Sequence, residues 1–141
     1  MSGSTLRVVL VVVLLIHGVG HFMGVVPALR LVEVKGWNSH SWLLSGPLGE
    51  DGARILSIFL FLLALIGFIA AGLALGGWLV PHAWWRGLAI GSAILSLVTI
   101  VLFWQAFVVF FPNKVGALGV DIAVLICLLW RNWPTEALLA A

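Results

Sequence analysis

The sequence predicts an all-α integral membrane protein, folded as an up-down bundle of four transmembrane helices in one domain over 1–141. Three observations lead to this prediction. Hydrophobic residues make up 63% of the 141 residues and charged residues only 9%. The mean hydropathy of +1.24 lies far above the value typical of soluble domains. Uncharged apolar runs also reach the length of about 20 residues that a helix needs to cross the hydrocarbon core.

The first span is expected over about 5–32, where His17 and His21 are the only ionisable side chains between Arg7 and Arg30. We interpret this segment as a membrane helix and not as a secretory signal peptide. The apolar run extends well past a signal core, and no small-x-small cleavage site stands out. Both histidines are therefore expected at membrane depth.

The other spans are expected over about 54–80, 86–111 and 115–130. Pro81 and Pro112 end the second and third spans, because proline cannot continue a helix. The fourth span is the shortest, and the turns between these spans are brief.

The connection over 33–53 is the one long loop, and its mixed aromatic and polar residues at 36–44 predict a segment in the plane of the membrane interface. A loop of this length exceeds what a connection requires. It is a candidate lid or partner contact, and an interfacial anchor is the alternative.

Tryptophan placement predicts that both termini lie on the same side of the membrane. Five of the eight tryptophans map to the side that holds the termini and the turn after the second span, where they form one aromatic belt. These are Trp78, Trp84, Trp85, Trp130 and Trp133. Positive charges near the helix ends nearly balance, so the orientation of the bundle stays open.

Charge and cysteine content exclude several kinds of partner and chemistry. The net charge of +2 is too small and too dispersed for a nucleic-acid partner. A single cysteine, Cys127, excludes an intrachain disulfide and paired-thiol chemistry. The expected partner is the lipid bilayer, and the glycines Gly72, Gly76 and Gly77 on the second span suit association with a second copy or a larger membrane complex.

A set of polar side chains inside the membrane is the candidate functional site. His17, Gly20, His21 and Gly24 share one face of the first span, because they recur at helical spacing. Asp121 is the only carboxylate within a span. Burying it costs on the order of a few kcal/mol, so it should face inward and have a partner.

Gln105 is the other strongly polar group expected at membrane depth, in the same half of the bundle as the histidines and the carboxylate. Ser92, Ser96 and Thr99 share a different face of the third span, so the two sets cannot point at one centre. We expect Gln105 to face the interior and the hydroxyl groups to serve packing. The expected ligand-binding set is His17, Gly20, His21, Gly24, Gln105 and Asp121, with His17, His21 and Asp121 as the catalytic candidates.

Four interpretations of this set stay open. His17, His21 and Asp121 bind a metal ion in the first, with a vacant fourth position. The histidines bind haem in the second, although two on one face of a helix cannot hold both faces of one haem. In the third, imidazole and carboxylate form an acid/base pair that relays protons or isomerises a lipid-soluble substrate. In the fourth, the polar groups only fix helix packing.

The segment LIHGVGHFMG at 15–24, together with FWQA at 103–106, resembles a group of uncharacterised small bacterial four-helix membrane proteins. Their shared pattern is HGxxHxxG in the first helix and an FW pair in the third. Polar or acidic residues often follow that pair in the group, whereas here Gln105 is followed by apolar residues. The resemblance implies the four-helix architecture and directs attention to His17 and His21 without naming a reaction.

The predicted function is therefore a membrane protein with a buried His/Asp site that binds a small ligand, a cofactor or a proton. A small membrane enzyme that performs acid/base chemistry on a lipid-soluble substrate is one alternative. A non-catalytic accessory or assembly subunit, which docks through the 33–53 loop and the glycine faces, is the other.

Overall fold

A computed structural model describes residues 2–106 and 113–140, and within these ranges the chain is helical and has no β-strand. The prediction of an all-α protein is confirmed. Short 3-10 turns, His82–Trp84 and Trp104–Ala106, stand before and after the fourth helix, and a π-helical turn, Ile126–Trp130, continues the fifth. The α-helices are α1 (Gly3–Gly20), α2 (Phe22–Ala28), α3 (Ser45–Gly76), α4 (Trp85–Leu102), α5 (Val115–Leu125) and α6 (Glu136–Ala140).

Three segments are long and apolar enough to cross a membrane, namely Gly3–Ala28, Ser45–Gly76 and His82–Leu102. Val115–Trp130 is also apolar but shorter. Large apolar side chains on these helices point away from the protein interior, among them Val8, Ile16, Phe59, Ile66 and Leu129. An outer surface of this kind is unfavourable in water, so the structure supports association with a membrane.

The first apolar segment is divided at His21, where α1 ends and α2 begins. The backbone N–H of His21 donates to the carbonyl of Gly18, and the N–H of Gly24 donates to the carbonyl of His21, both at 3.0 Å. These bonds reach back three residues and tighten the helix locally. His21 therefore lies at a break in the helix, and its side chain is buried.

The connection between the first two spans is shorter than predicted. α3 begins at Ser45, so the predicted loop over 33–53 contains the first turns of a helix. Gly49 interrupts that helix with a φ of +71°, a left-handed conformation that glycine adopts without a steric penalty. The long apolar part of α3 follows this interruption.

The connection is fixed to one end of the helices by two side chains. The Arg54 guanidinium donates from Nη1 to the carbonyl of Ala28 at 3.1 Å, where α2 ends. Trp42 donates from Nε1 to the carbonyl of Val101 at 2.9 Å, near the last turn of α4. The ends of α2 and α4 and the start of the apolar part of α3 therefore lie together.

The other end of the helices holds residues from both ends of the chain. Arg7 on α1 donates from Nη2 to the carbonyl of Leu139 on α6 at 3.1 Å. Glu136 on α6 accepts from the indole N–H of Trp85 at 3.1 Å and lies 3.1 Å from Nε2 of His82. The start of α1, the turn before α4 and the short α6 therefore meet at this end.

α3 lies at the centre of the described helices and packs against α1, α2 and α4, while α5 packs mainly against α4. Glycine permits the close approach of α1 and α2 to α3. A Cβ on Gly18 would lie 3.1 Å from Cβ of Phe68, and one on Gly24 would lie 2.6 Å from the Phe61 ring. α1 and α5 meet only over a short contact.

The glycines predicted to face a partner have contacts inside the chain. A Cβ on Gly72 would lie 2.9 Å from the side chain of Leu15, and one on Gly76 would lie 2.9 Å from the Trp78 ring. Gly77 ends α3 in a left-handed conformation, which is a common helix C-terminus. These positions are explained by packing and capping within the chain, and association with a partner stays a prediction.

Candidate functional site

Asp121 on α5 is the centre of the candidate site, and its carboxylate is 0% exposed. Oδ1 lies 2.7 Å from Nε2 of His17 on α1. Oδ2 accepts a hydrogen bond from the Ser96 hydroxyl on α4 at 2.5 Å. A buried carboxylate needs such partners because its desolvation is costly. The prediction that Asp121 faces inward and has a partner is confirmed.

His21 completes the network from the break between α1 and α2, and it is 1% exposed. Its Nδ1 lies 3.0 Å from the backbone carbonyl of His17, which can only accept, so Nδ1 carries the proton of this bond. Its Nε2 lies 2.8 Å from Oγ of Ser96. We call His17, Asp121, Ser96 and His21 the buried network.

Ser96 couples the protonation of His21 to that of Asp121. When Asp121 is ionised, Ser96 donates to it, and Nε2 of His21 must then donate to Ser96, which makes His21 an imidazolium. When Asp121 carries the proton, it donates to Ser96, and the hydroxyl hydrogen turns to an unprotonated Nε2. Both arrangements satisfy every bond between these three residues. If Asp121 is ionised and His21 is neutral, Ser96 can donate to only one of them. An arrangement in which all of these hydrogen bonds form therefore holds one proton more than this combination.

His17 is the member of the buried network that also borders open space. Its Nε2 is engaged by Asp121, and we find no hydrogen-bond partner for its Nδ1 in the described part of the chain. The His17 side chain is 8% exposed. When Nε2 donates to the carboxylate of Asp121, Nδ1 is an accessible acceptor.

An open groove of about 410 Å³ lies beside the buried network, between the α1–α2 segment and α5. His17, Gly20 and His21 line it, as predicted for a shared face of the first span. No described atom lies within 4 Å of the position that a Cβ on Gly20 would occupy. Most of the other lining side chains are apolar, including Val13, Ile16, Met23, Ala117 and Val120. The groove thus joins a polar centre to apolar walls.

The prediction that Gln105 faces the interior is wrong, and so is the prediction that Ser96 serves only packing. Thr99 donates to the backbone carbonyl of Leu95 in its own helix, as expected. Gln105 is exposed and lies with His40 and Trp42 at a separate pocket. The reason is that α4 ends at Leu102, so Gln105 belongs to the following 3-10 turn and the angle extrapolated along a continuous helix does not apply. The polar side chain that the third span contributes to the site is Ser96 and not Gln105. The face that Ser96 shares with Ser92 and Thr99 was the feature of the sequence that indicated it.

Gly24 was predicted to bind ligand together with the histidines, and the structure places it elsewhere. It is buried where α2 meets α3, and a Cβ there would lie 2.6 Å from the Phe61 ring. The break at His21 separates α2 from α1, so helical spacing counted through the break fails. Gly24 therefore serves the close packing of α2 on α3.

The three-ligand metal set of His17, His21 and Asp121 is not found. Within 2–106 and 113–140, no group of three or more His, Cys, Asp or Glu side chains is arranged to hold a metal ion. The reason is that both ring nitrogens of His21 have protein partners, one of them the Ser96 hydroxyl. The two imidazole rings lie 5.0 Å apart at 86°, so they also cannot bind opposite faces of one haem.

No family model, curated protein or solved structure matches this chain. The resemblance of 15–24 and 103–106 to small bacterial four-helix membrane proteins stays a prediction. A functional conclusion must therefore come from the geometry of the chain itself.

Proposed function

We propose that this chain is a multi-pass membrane protein with four spans in up-down order, whose open groove binds a small uncharged molecule against His17. Val115–Trp130 is the fourth span in this proposal. The bond from Arg7 to the carbonyl of Leu139 supports placing both termini on one side of the membrane. The bonds of Arg54 and Trp42 support antiparallel neighbours, since they join helix ends at the opposite side.

The contact between the buried network and the open groove is the observation that supports ligand binding. A groove lined mainly by apolar side chains and containing a few convergent polar groups is the usual form of a small-molecule site. The groove offers Nδ1 of His17 as an acceptor, which suits a hydroxyl group on the ligand. A charged ligand is disfavoured, because charge at membrane depth is costly and the buried carboxylate already has its partners.

Acid/base chemistry is the second function that the same atoms favour. A proton that reaches Nδ1 of His17 makes the ring an imidazolium, and the proton on Nε2 can then pass to Oδ1 of Asp121, which restores a neutral ring with its tautomer exchanged. The distance of 2.7 Å between Nε2 and Oδ1 permits this transfer. The network can thus take up a proton that arrives at Nδ1 of His17 and release it by the reverse path.

The test uses 1-naphthol, a fluorescent, uncharged and lipid-soluble molecule with one hydroxyl group, and the full chain in phosphatidylcholine nanodiscs. His17→Gln is the informative variant, because the glutamine Nε2 can still donate to Asp121 while its acceptor, the amide oxygen, does not reproduce the position and direction of the ring Nδ1. Loss of a hydrogen bond at a buried site weakens binding by about tenfold. Ile122→Gln places the same side chain on the outward face of α5 and should leave the dissociation constant unchanged.

Equal dissociation constants for the wild type, His17→Gln and Ile122→Gln would contradict the proposal, because they would show that 1-naphthol only partitions into the lipid. Thermal unfolding of each variant shows whether the fold is retained.

A further inference from the structure

A second cavity lies between α1, α4 and α5, farther toward the end of the helices that holds the termini. Its volume is about 170 Å³, and its lining side chains are apolar, among them Leu10, Val124, Cys127 and Trp133. We call it the apolar slot. A water molecule needs two or more polar partners to be stable in a cavity, and this lining offers none.

The apolar slot adjoins the open groove. Val13 on α1 and Val120 on α5 line both cavities, so the two spaces lie on either side of these side chains. Val13 lies about one turn from His17, and Val120 directly precedes Asp121. The open groove, which borders the polar centre, and the apolar slot are therefore neighbouring cavities.

The two neighbouring cavities follow one another along the helices. The slot residue Leu10 lies seven residues before His17, which is about 10 Å along α1. The slot residue Cys127 lies seven residues after Val120, again about 10 Å along α5 and its π-helical continuation. Since apolar side chains of α1 and α5 line the space over about the same length, the slot suits a narrow, extended occupant. A helix, about 10 Å in diameter, is too wide for it.

We propose that the ligand is a single-chain amphipathic molecule whose hydroxyl group contacts His17 and whose hydrocarbon tail enters the apolar slot. This inference rests on the proposed function and adds the class of ligand. A tail in the membrane already has apolar surroundings, so its gain in the slot comes from close packing against a preformed wall and not from leaving water. Selection among ligands therefore depends on the shape of the tail as well as on its hydroxyl group.

The first test maps the two ends of the ligand by photo-crosslinking in phosphatidylcholine nanodiscs. It uses two forms of dodecanol, one with a diazirine beside the hydroxyl group and one with a diazirine at the far end of the chain. Tandem mass spectrometry then locates the labelled residues. The first form should label Gly20 or Ala117 in the open groove, and the second should label Leu10 or Cys127 in the apolar slot.

The labelling results separate failure of this inference from failure of the proposed function. If the first form labels the groove and the second labels only outward-facing residues such as Ile122, a ligand binds but its tail does not enter the slot, and the inference is wrong. If neither form labels the groove more than it labels the outward-facing residues, the proposed function is wrong as well.

The second test narrows the slot without touching the buried network. Ala123→Phe adds a ring at a position that lines the slot, whereas Ile122→Phe adds one on the adjacent, outward-facing position. We expect Ala123→Phe to weaken dodecanol binding at least about fivefold, because the added ring takes up the space of the tail. Binding of 1-naphthol, which has no tail, should change in neither variant. Equal dodecanol binding by both variants would overturn the inference, and the labelling of the wild type decides it if Ala123→Phe does not fold.

Discussion

Replacement of Ser96 by alanine tests the buried network most directly. Ser96 is 0% exposed, and its hydroxyl group contacts both Nε2 of His21 and Oδ2 of Asp121. The variant leaves those two buried atoms without the partner that joins them. An unpaired buried polar group costs about 1–3 kcal/mol, so two of them cost about 2–6 kcal/mol of unfolding free energy.

This loss is large compared with the stability of a typical protein, which is about 5–15 kcal/mol. Ser92→Ala is the matched control, because Ser92 is also buried and lies about one turn earlier on α4. Unfolding in mixed micelles, followed by tryptophan fluorescence, measures both variants. We expect a decrease of at least about 2 kcal/mol for Ser96→Ala and less than about 1 kcal/mol for Ser92→Ala. Equal values would refute the reasoning that Ser96 joins two otherwise unsatisfied groups.

Two further predictions concern other parts of the structure. Hydrogen bonds from His82 and Trp85 hold the pKa of Glu136 below its ordinary value, so its carboxylate stabilises the folded state above the ordinary value of 4.5, and this stabilisation is lost as the pH falls through the lower folded pKa. The unfolding free energy of the wild type should therefore exceed that of Glu136→Gln, and this difference should shrink below about pH 4.5. A difference independent of pH would count against this contact. Gly24→Ala should destabilise the protein by about 1–3 kcal/mol, because the added Cβ would overlap a ring on α3. Gly20→Ala, at a helix position with open space, should not destabilise it, and similar losses for the two variants would contradict the described packing.

Hydropathy alone predicted the helical class and the segments long enough to cross a membrane, because an apolar solvent imposes long uncharged helices. The pairing of His17 with Asp121 was predictable for the same reason, since lipid offers these side chains no partner. The choice of Gln105 over Ser96 failed because it assumed an unbroken helix. The sequence contains no proline or glycine between 97 and 106 that would indicate the end of α4 at Leu102.

The start of α3 could not be predicted from the same signals. Hydropathy detects the part of a helix that lies in the hydrocarbon core, and 45–53 contains polar, charged and glycine residues. The helix nevertheless begins at Ser45, where the hydroxyl group accepts from the backbone N–H of Ser41 at 3.0 Å. Local hydrogen bonding of this kind is independent of the hydropathy pattern, so a count of apolar residues finds the apolar part of α3 and misses the helical turns before it.

The position of the buried network follows from the order in which the helices pack. α3 lies between α1 and α4 and brings them together, but α5 contacts these helices mainly through α4 and meets α1 only over a short contact. The bond between His17 and Asp121 is a polar contact that connects these two helices beside the open groove. The ligand site that we propose needs access from the membrane and a fixed pair of polar groups, and such a boundary provides both. Tight apolar packing there would close the groove, whereas one short polar contact holds the helices in register and leaves the space beside it open.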